Sequence, residues 1–343
     1  MRQRMSLAAG LIGLLLSASV STAINWSWED PWLSFDGQGL TLVLDRQSGP
    51  DIAFHSGGQM RYLYKVGGSW IENAAGQSAD GLPGLAIDSA DLPAITHANG
   101  NYLYYNHKDG GGWHSEFVDT CTWGNWSGQW ARTCFDSLNR PHIAYDVNIG
   151  SRPLKCGYRD SNGWHLSIAS YWSAGGSPCL QFGGFDLDSD GHPHLLHFFD
   201  SSGVQRLDYV RWDGYQWQRE IVEASFPLAH GCDLVLDASD NPHIVYNSEV
   251  TDDLKYAYRD RGGWHIETVD ATGDVGDFPS IKLDYAGEPR VSYFDATNGN
   301  VKYAYHDATG WHEERTAPNS VDTQLSEFSQ LLLVLGRAQV AQS

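Results

Sequence analysis

Apolar and polar positions along this chain follow a short, recurring rhythm. Stretches such as "LVLD" and "HIVY" alternate or run apolar over four residues, and Asp, Gly, Asn and Pro separate them. That is the length and punctuation of β-strands, whose successive side chains point to opposite faces of a sheet. "LKYAY" and "WHIETV" alternate in the same way on either side of a D-x-x-G type turn. Long helical periodicity is absent up to the tail.

The strands come in copies. "LDASDNPHIVY" (236–246) has relatives in "LDRQSGPDIAF", "IDSADLPAITH", "FDSLNRPHIAY", "LDSDGHPHLLH" and "LDYAGEPRVSY". Each carries an Asp five residues before a Pro: Asp45, Asp88, Asp136, Asp188, Asp237 and Asp284. A second phrase follows each first one, and its tryptophan recurs as Trp70, Trp113, Trp164, Trp217, Trp264 and Trp311. Eight residues before the tryptophan stands Tyr62, Tyr105, Tyr209, Tyr256 or Tyr303, with Cys156 as the exception. Six units of 43 to 52 residues, each reading as four short strands, predict an all-β, six-bladed β-propeller with four-stranded antiparallel blades over residues 40–316. A parallel β-helix has shorter repeats, and a row of sandwich domains needs about 100 residues per unit.

The units resemble secreted microbial propeller repeats that read L-D-x-x-G-x-P-H-I-A-Y, then L-K-Y-A, then G-W-x-x-E-T-V-D. Such repeats are loosely similar to sialidase-like propellers. The turn before the tryptophan here is shorter than a true Asp-box, with Asp109, Asp160, Asp213, Asp260 and Asp307 four residues ahead of it. No sialidase arginine triad can be assigned. The resemblance implies a fold, and fold alone does not give function.

Recurrence also sorts residues. The repeat aspartates are expected to bond turn N–H groups, and the prolines to open strands where a missing donor is tolerated. The tryptophans and their partner tyrosines are expected to pack between blades. His142, His194 and His243 follow repeat prolines, and His114, His165, His265 and His312 follow repeat tryptophans, so all seven read as structural. The acidic series Asp186, Asp188, Asp190 matches the opening of a calcium loop. Its middle member is a repeat aspartate and its downstream positions are apolar, so a hairpin is expected there, not a metal site.

Composition and the chain ends add the setting. Arg2 and Arg4, the apolar run "LAAGLIGLLLSASV" and "STA" form a secretory signal peptide over residues 1–23, which predicts a secreted or cell-surface protein. Residues 24–39 could close the ring or supply an extra strand. The tail at 317–343 breaks the repeat, and its apolar run is too short to span a membrane. A net charge of −20 without any Lys/Arg cluster argues against nucleic acid as a partner. No cofactor motif or zinc spacing is present. Among five cysteines, Cys121 and Cys134 are the first choice for a disulfide and Cys179 with Cys232 the second.

Loop lengths place function. The turns within each hairpin unit are uniform, whereas every other connection varies in length, so one face of the ring collects all the variable loops. The loop "CTWGNWSGQWARTC" brings Trp123, Trp126 and Trp130 together, and Tyr171 and Trp172 stand on the next connection. Asp146, Asn247 and Asp295 add polar groups suited to hydroxyls, and His230 lies in another variable loop. Aromatic rings beside such groups suit a glycan or a cell-surface protein partner. The expectation is glycan recognition without catalysis. The alternatives are a polysaccharide lyase using His97, His197 or His230, a glycoside hydrolase, which needs two convergent carboxylates, and a purely structural propeller.

Overall fold

In the computed structural model of the chain, the described residues are 12–14, 27–29, 40–76, 80–120, 131–147, 153–171, 184–201, 204–224 and 231–315. They contain six four-stranded antiparallel sheets, each with its strands in chain order. Leu40–Leu44, Pro50–Ser56, Gln59–Val66 and Ser69–Gly76 make blade 1. Blades 2 to 6 occupy residues 80–120, 131–171, 185–224, 232–270 and 275–315. Ser27–Glu29 pairs with Ile12–Leu14 and not with any blade strand. Neither the Trp-rich loop nor the C-terminal tail lies among the described residues.

One turn closes every first hairpin. The carboxylate of Asp237 accepts the N–H of Ser239 at 2.8 Å and of Asn241 at 2.8 Å. Asp45, Asp88, Asp136, Asp188 and Asp284 accept the N–H groups two and four residues on in the same way. Three residues past each aspartate the backbone turns left-handed, at Ser48, Asp91, Asn139, Gly191, Asp240 and Gly287. Gly, Asn and Asp tolerate that conformation best, which accounts for most of these residue types. The acidic series is resolved on this frame. Asp188 serves its turn, and Asp186 is half-buried with one oxygen accepting the N–H of Leu236 in blade 5 at 2.9 Å.

Three ties join blade to blade. The first is aromatic: Trp113, Trp164, Trp264 and Trp311 each meet the repeat tyrosine of the preceding blade edge to face, with centroids 5.2 to 5.5 Å apart. Pairs of this kind contribute about 0.5–1.5 kcal/mol beyond their area burial. The second is polar and outer: Glu116 accepts Arg159 at 2.7 Å, Glu220 accepts Arg259 at 2.6 Å, and Glu267 accepts the Trp311 indole at 2.9 Å. The third links turns, where the side chains of Asp91, Asn139 and Asp240 accept backbone N–H groups of Arg46, Ser89 and Ser189 in the preceding blade. Ile52 and Phe54 of blade 1 and Ser292 and Tyr303 of blade 6 are buried too.

No disulfide is present among the described residues. Cys134 and Cys156 are free thiols. Cys134 packs against the core between blades 3 and 4, and Cys232 lies in the core between blades 4 and 5, so each strand directs its sulfur into apolar packing. Their proposed partners, Cys121 and Cys179, lie outside the described residues.

Blade 1 departs from the histidine pattern in a way that pH should reveal. Asp51 follows its repeat proline, is buried, and accepts the Tyr62 hydroxyl. Burial is the chief cause that pushes this carboxyl up to about 6. A raised carboxyl favours the protonated folded state, so stability should fall as pH rises from about 4 through about 6. Asp51→Asn should remove that fall, which urea titrations at pH 4, 5, 6 and 7 would measure. Parallel pH profiles for the two proteins would refute the assignment.

Candidate functional site

The repeat pattern breaks at the seam of blades 3 and 4. Between blades 3 and 4 the tyrosine position holds Cys156, so Trp217 packs against Cys134 and Cys156 with no tyrosine ring. The outer polar tie is missing as well, because Ser167 stands where Glu116, Glu220 and Glu267 stand and Trp212 takes the place of Arg159 and Arg259. The turn tie is absent too, since Gly191 occupies the left-handed position and has no side chain to reach back. Four replacements, Cys156, Ser167, Trp212 and Gly191, thus remove all three ties at the same interface.

What remains is a cavity of about 430 Å³. At the neighbouring seam, between blades 2 and 3, the equivalent cleft measures about 150 Å³ and is lined by Tyr105 and Arg159. Trp212 and Trp217 form one wall, with ring centroids 5.5 Å apart at 65°. Tyr158 forms the other wall, stacked on His165 at 4.8 Å and on His142 at 5.6 Å, with the Arg140 guanidinium 5.2 Å from its ring. Cys156, Ile143 and Phe185 supply apolar lining, and Asp190 and His192 stand at the blade 4 turn.

Charge in the cavity is largely spent. Arg140 donates to Asp136 at 2.6 Å, His165 contacts Asp160 at 3.0 Å, and His192 contacts Asp188 at 3.2 Å. Burial pushes Asp136 up, but hydrogen bonds from Arg140 and His142 outweigh it and hold the carboxyl below its ordinary value. Burial lowers His142 below the usual histidine range, so the ring is neutral at neutral pH. It raises the Cys156 thiol, which is therefore no nucleophile.

The residues singled out from the sequence are dispersed. Trp123, Trp126, Trp130, Trp172 and His230 lie outside the described residues, and Tyr171 ends the fourth strand of blade 3. Asp146, Asn247 and Asp295 are buried at strand ends. Asn247 donates to the Val275 carbonyl of blade 6 at 2.9 Å, and Asp295 accepts from Asn298 within its own loop at 2.8 Å. His97 is buried and meets Asn106 at 2.7 Å, while His197, buried and lowered to about 3 chiefly by that burial, meets Ser170 at 3.0 Å. The repeat histidines behave as expected: His114, His265 and His312, like His165, contact the aspartate five residues earlier.

Solved structures with a similar fold are diverse. Aleuria aurantia lectin, in complex with alpha-methyl-L-fucoside, shares 12% identity over 84% of this chain and 96% of its own, with a TM-score of 0.53. A protein from Lactobacillus plantarum shares 14% over 92% of this chain and 98% of its own, at 0.54. Kuenenia stuttgartiensis hydrazine synthase shares 9% over 81% of this chain and 79% of its own, at 0.55. Likenesses this distant establish the propeller fold alone. No family model and no curated protein matches the chain.

Proposed function

We propose that the protein is an exported carbohydrate-binding propeller whose ligand enters the cavity between blades 3 and 4. The observation that carries this reading is the tryptophan wall of Trp212 and Trp217 facing polar groups across a cavity of about 430 Å³. Indole faces receive the C–H side of a sugar ring, while neighbouring polar atoms take its hydroxyls. The lectin complexed with a fucoside is a precedent for sugar binding on such a fold, at the distance of 12% identity. The export signal at residues 1–23 suits a partner outside the cell.

The charge balance narrows the ligand to neutral sugars. Each cationic lining group already faces an aspartate, and Asp190 adds a carboxylate at the turn. A uronic or sialic acid would meet net repulsion. A glycan array should therefore give binding to neutral glycans and none to acidic ones, and Trp212→Ala should weaken it ten-fold or more, about 1.4 kcal/mol, the scale of one lost aromatic contact. Absence of binding to every glycan would sink the reading.

A further inference from the structure

In blades 4 and 5 a three-membered chain runs from turn to core. His194 places Nε2 3.5 Å from Asp188 and meets the Tyr209 hydroxyl with Nδ1. His243 repeats the arrangement, with Nε2 3.7 Å from Asp237 and Nδ1 2.5 Å from the Tyr256 hydroxyl. With the proton on Nε2, the nitrogen facing the aspartate, Nδ1 is the one that accepts the phenol hydroxyl. Blade 3 keeps the first two members, with His142 Nε2 3.1 Å from Asp136 Oδ2. Its third member would be the tyrosine that Cys156 replaces. His142 Nδ1 therefore has no partner among the described residues, and the ring lines the cavity.

We infer that His142 Nδ1 is the hydroxyl anchor of the cavity, and that a sugar hydroxyl of the bound ligand donates to it where a repeat tyrosine would. This inference rests on the sugar-binding reading above and adds the recognition atom. It also sets the ligand's pose. A six-membered ring standing where the phenol ring would stand has Trp217 beside it and one hydroxyl directed at His142. Asp136 fixes the tautomer from behind, and Arg140 pins Asp136 in turn. The residue after the repeat proline is Ala94 in blade 2 and Arg290 in blade 6, so this position tolerates change without loss of the blade.

The test uses the full chain and the neutral methyl glycoside that an array ranks first, together with its monodeoxy analogues. His142→Ala should lower affinity about ten-fold, the worth of one hydrogen bond of about 1.4 kcal/mol. One monodeoxy analogue should show the same loss on the wild type and no further loss on the variant. On the wild type, the imidazole Nδ1 resonance of His142 should move in nitrogen NMR when the glycoside is added, a readout that needs no substitution. If the glycoside binds the wild type and Cys156→Tyr abolishes that binding, but Nδ1 does not move and His142→Ala binds normally, the anchor is wrong and the sugar site stands. If no sugar binds the wild type at all, both fall.

Discussion

Cys156→Tyr should abolish sugar binding and leave the propeller intact or slightly more stable. Five blades hold a tyrosine at this position, and in four of them the next tryptophan packs on it at 5.2 to 5.5 Å. Blade 3 presents the same surroundings, with Trp217 on one side and His142 Nδ1 on the other. A tyrosine placed there would complete the aromatic tie, about 0.5–1.5 kcal/mol, while filling the ligand's space. Affinity should drop at least a hundred-fold, because the ring competes for the cavity from within the chain. Cys156→Ala should bind as the wild type does, since the thiol only marks the absent ring. Calorimetric titration with the glycoside, beside a melting curve for each protein, separates the cases. Cys156→Tyr that melts normally and still binds would place the ligand elsewhere, with the variable-loop face the first place to look.

The repeat itself was legible because it rests on local chemistry. An Asp, a left-handed residue and a Pro in fixed order specify one turn, and alternation specifies the strands on either side. The same regularity grouped seven histidines by position, five of which have no part in the proposed site, while His142 and His165 line the cavity. Cys156 was visible as the odd member of the tyrosine series, yet its meaning depended on Ser167 and Trp212. Those two lie on different blades, and only the packing of blade 4 on blade 3 shows that they face the same gap. Asp146, Asn247 and Asp295 are a different case. They are polar and close to variable loops, which suggests ligand contact, but each is buried at a strand end. For Asn247 and Asp295 the hydrogen bonds in view join the next blade or cap the loop. Composition reports polarity, whereas burial decides whether it meets solvent.

The largest loss of stability is expected from Asp270→Ala at the seam between blades 5 and 6. Asp270 ends the fourth strand of blade 5, where its Oδ2 accepts the Tyr293 hydroxyl at 2.7 Å and the ammonium of Lys302, both from blade 6. Lys302 is 7% exposed and donates also to Glu313 at 2.9 Å. Removing the aspartate leaves a buried ammonium with one partying carboxylate fewer and a buried phenol without an acceptor, and breaking a buried pair typically costs about 3–5 kcal/mol. Glu313 keeps part of the compensation, so the lower end is expected. The related group at the seam of blades 2 and 3, Asp119 with Tyr145 and Lys155, is more exposed, and Asp119→Ala should cost less. Burial pushes Asp270 up, but the hydrogen bonds from Lys302, the Thr272 N–H and Tyr293, with the Lys302 charge, together outweigh it and hold the carboxyl below its ordinary range. Its contribution is therefore complete above about pH 4 and fades as pH falls through that lowered value, so wild type and variant should converge in acid. Urea unfolding of both proteins from pH 2 to pH 8 checks the size and the direction. Replacing the whole group at once, Asp270→Leu with Lys302→Met and Tyr293→Phe, should recover most of the loss, because the charge left unpaired, more than the missing attraction, causes it. A triple variant as unstable as Asp270→Ala would show instead that the ion pair holds blade 6 against blade 5 by its own attraction.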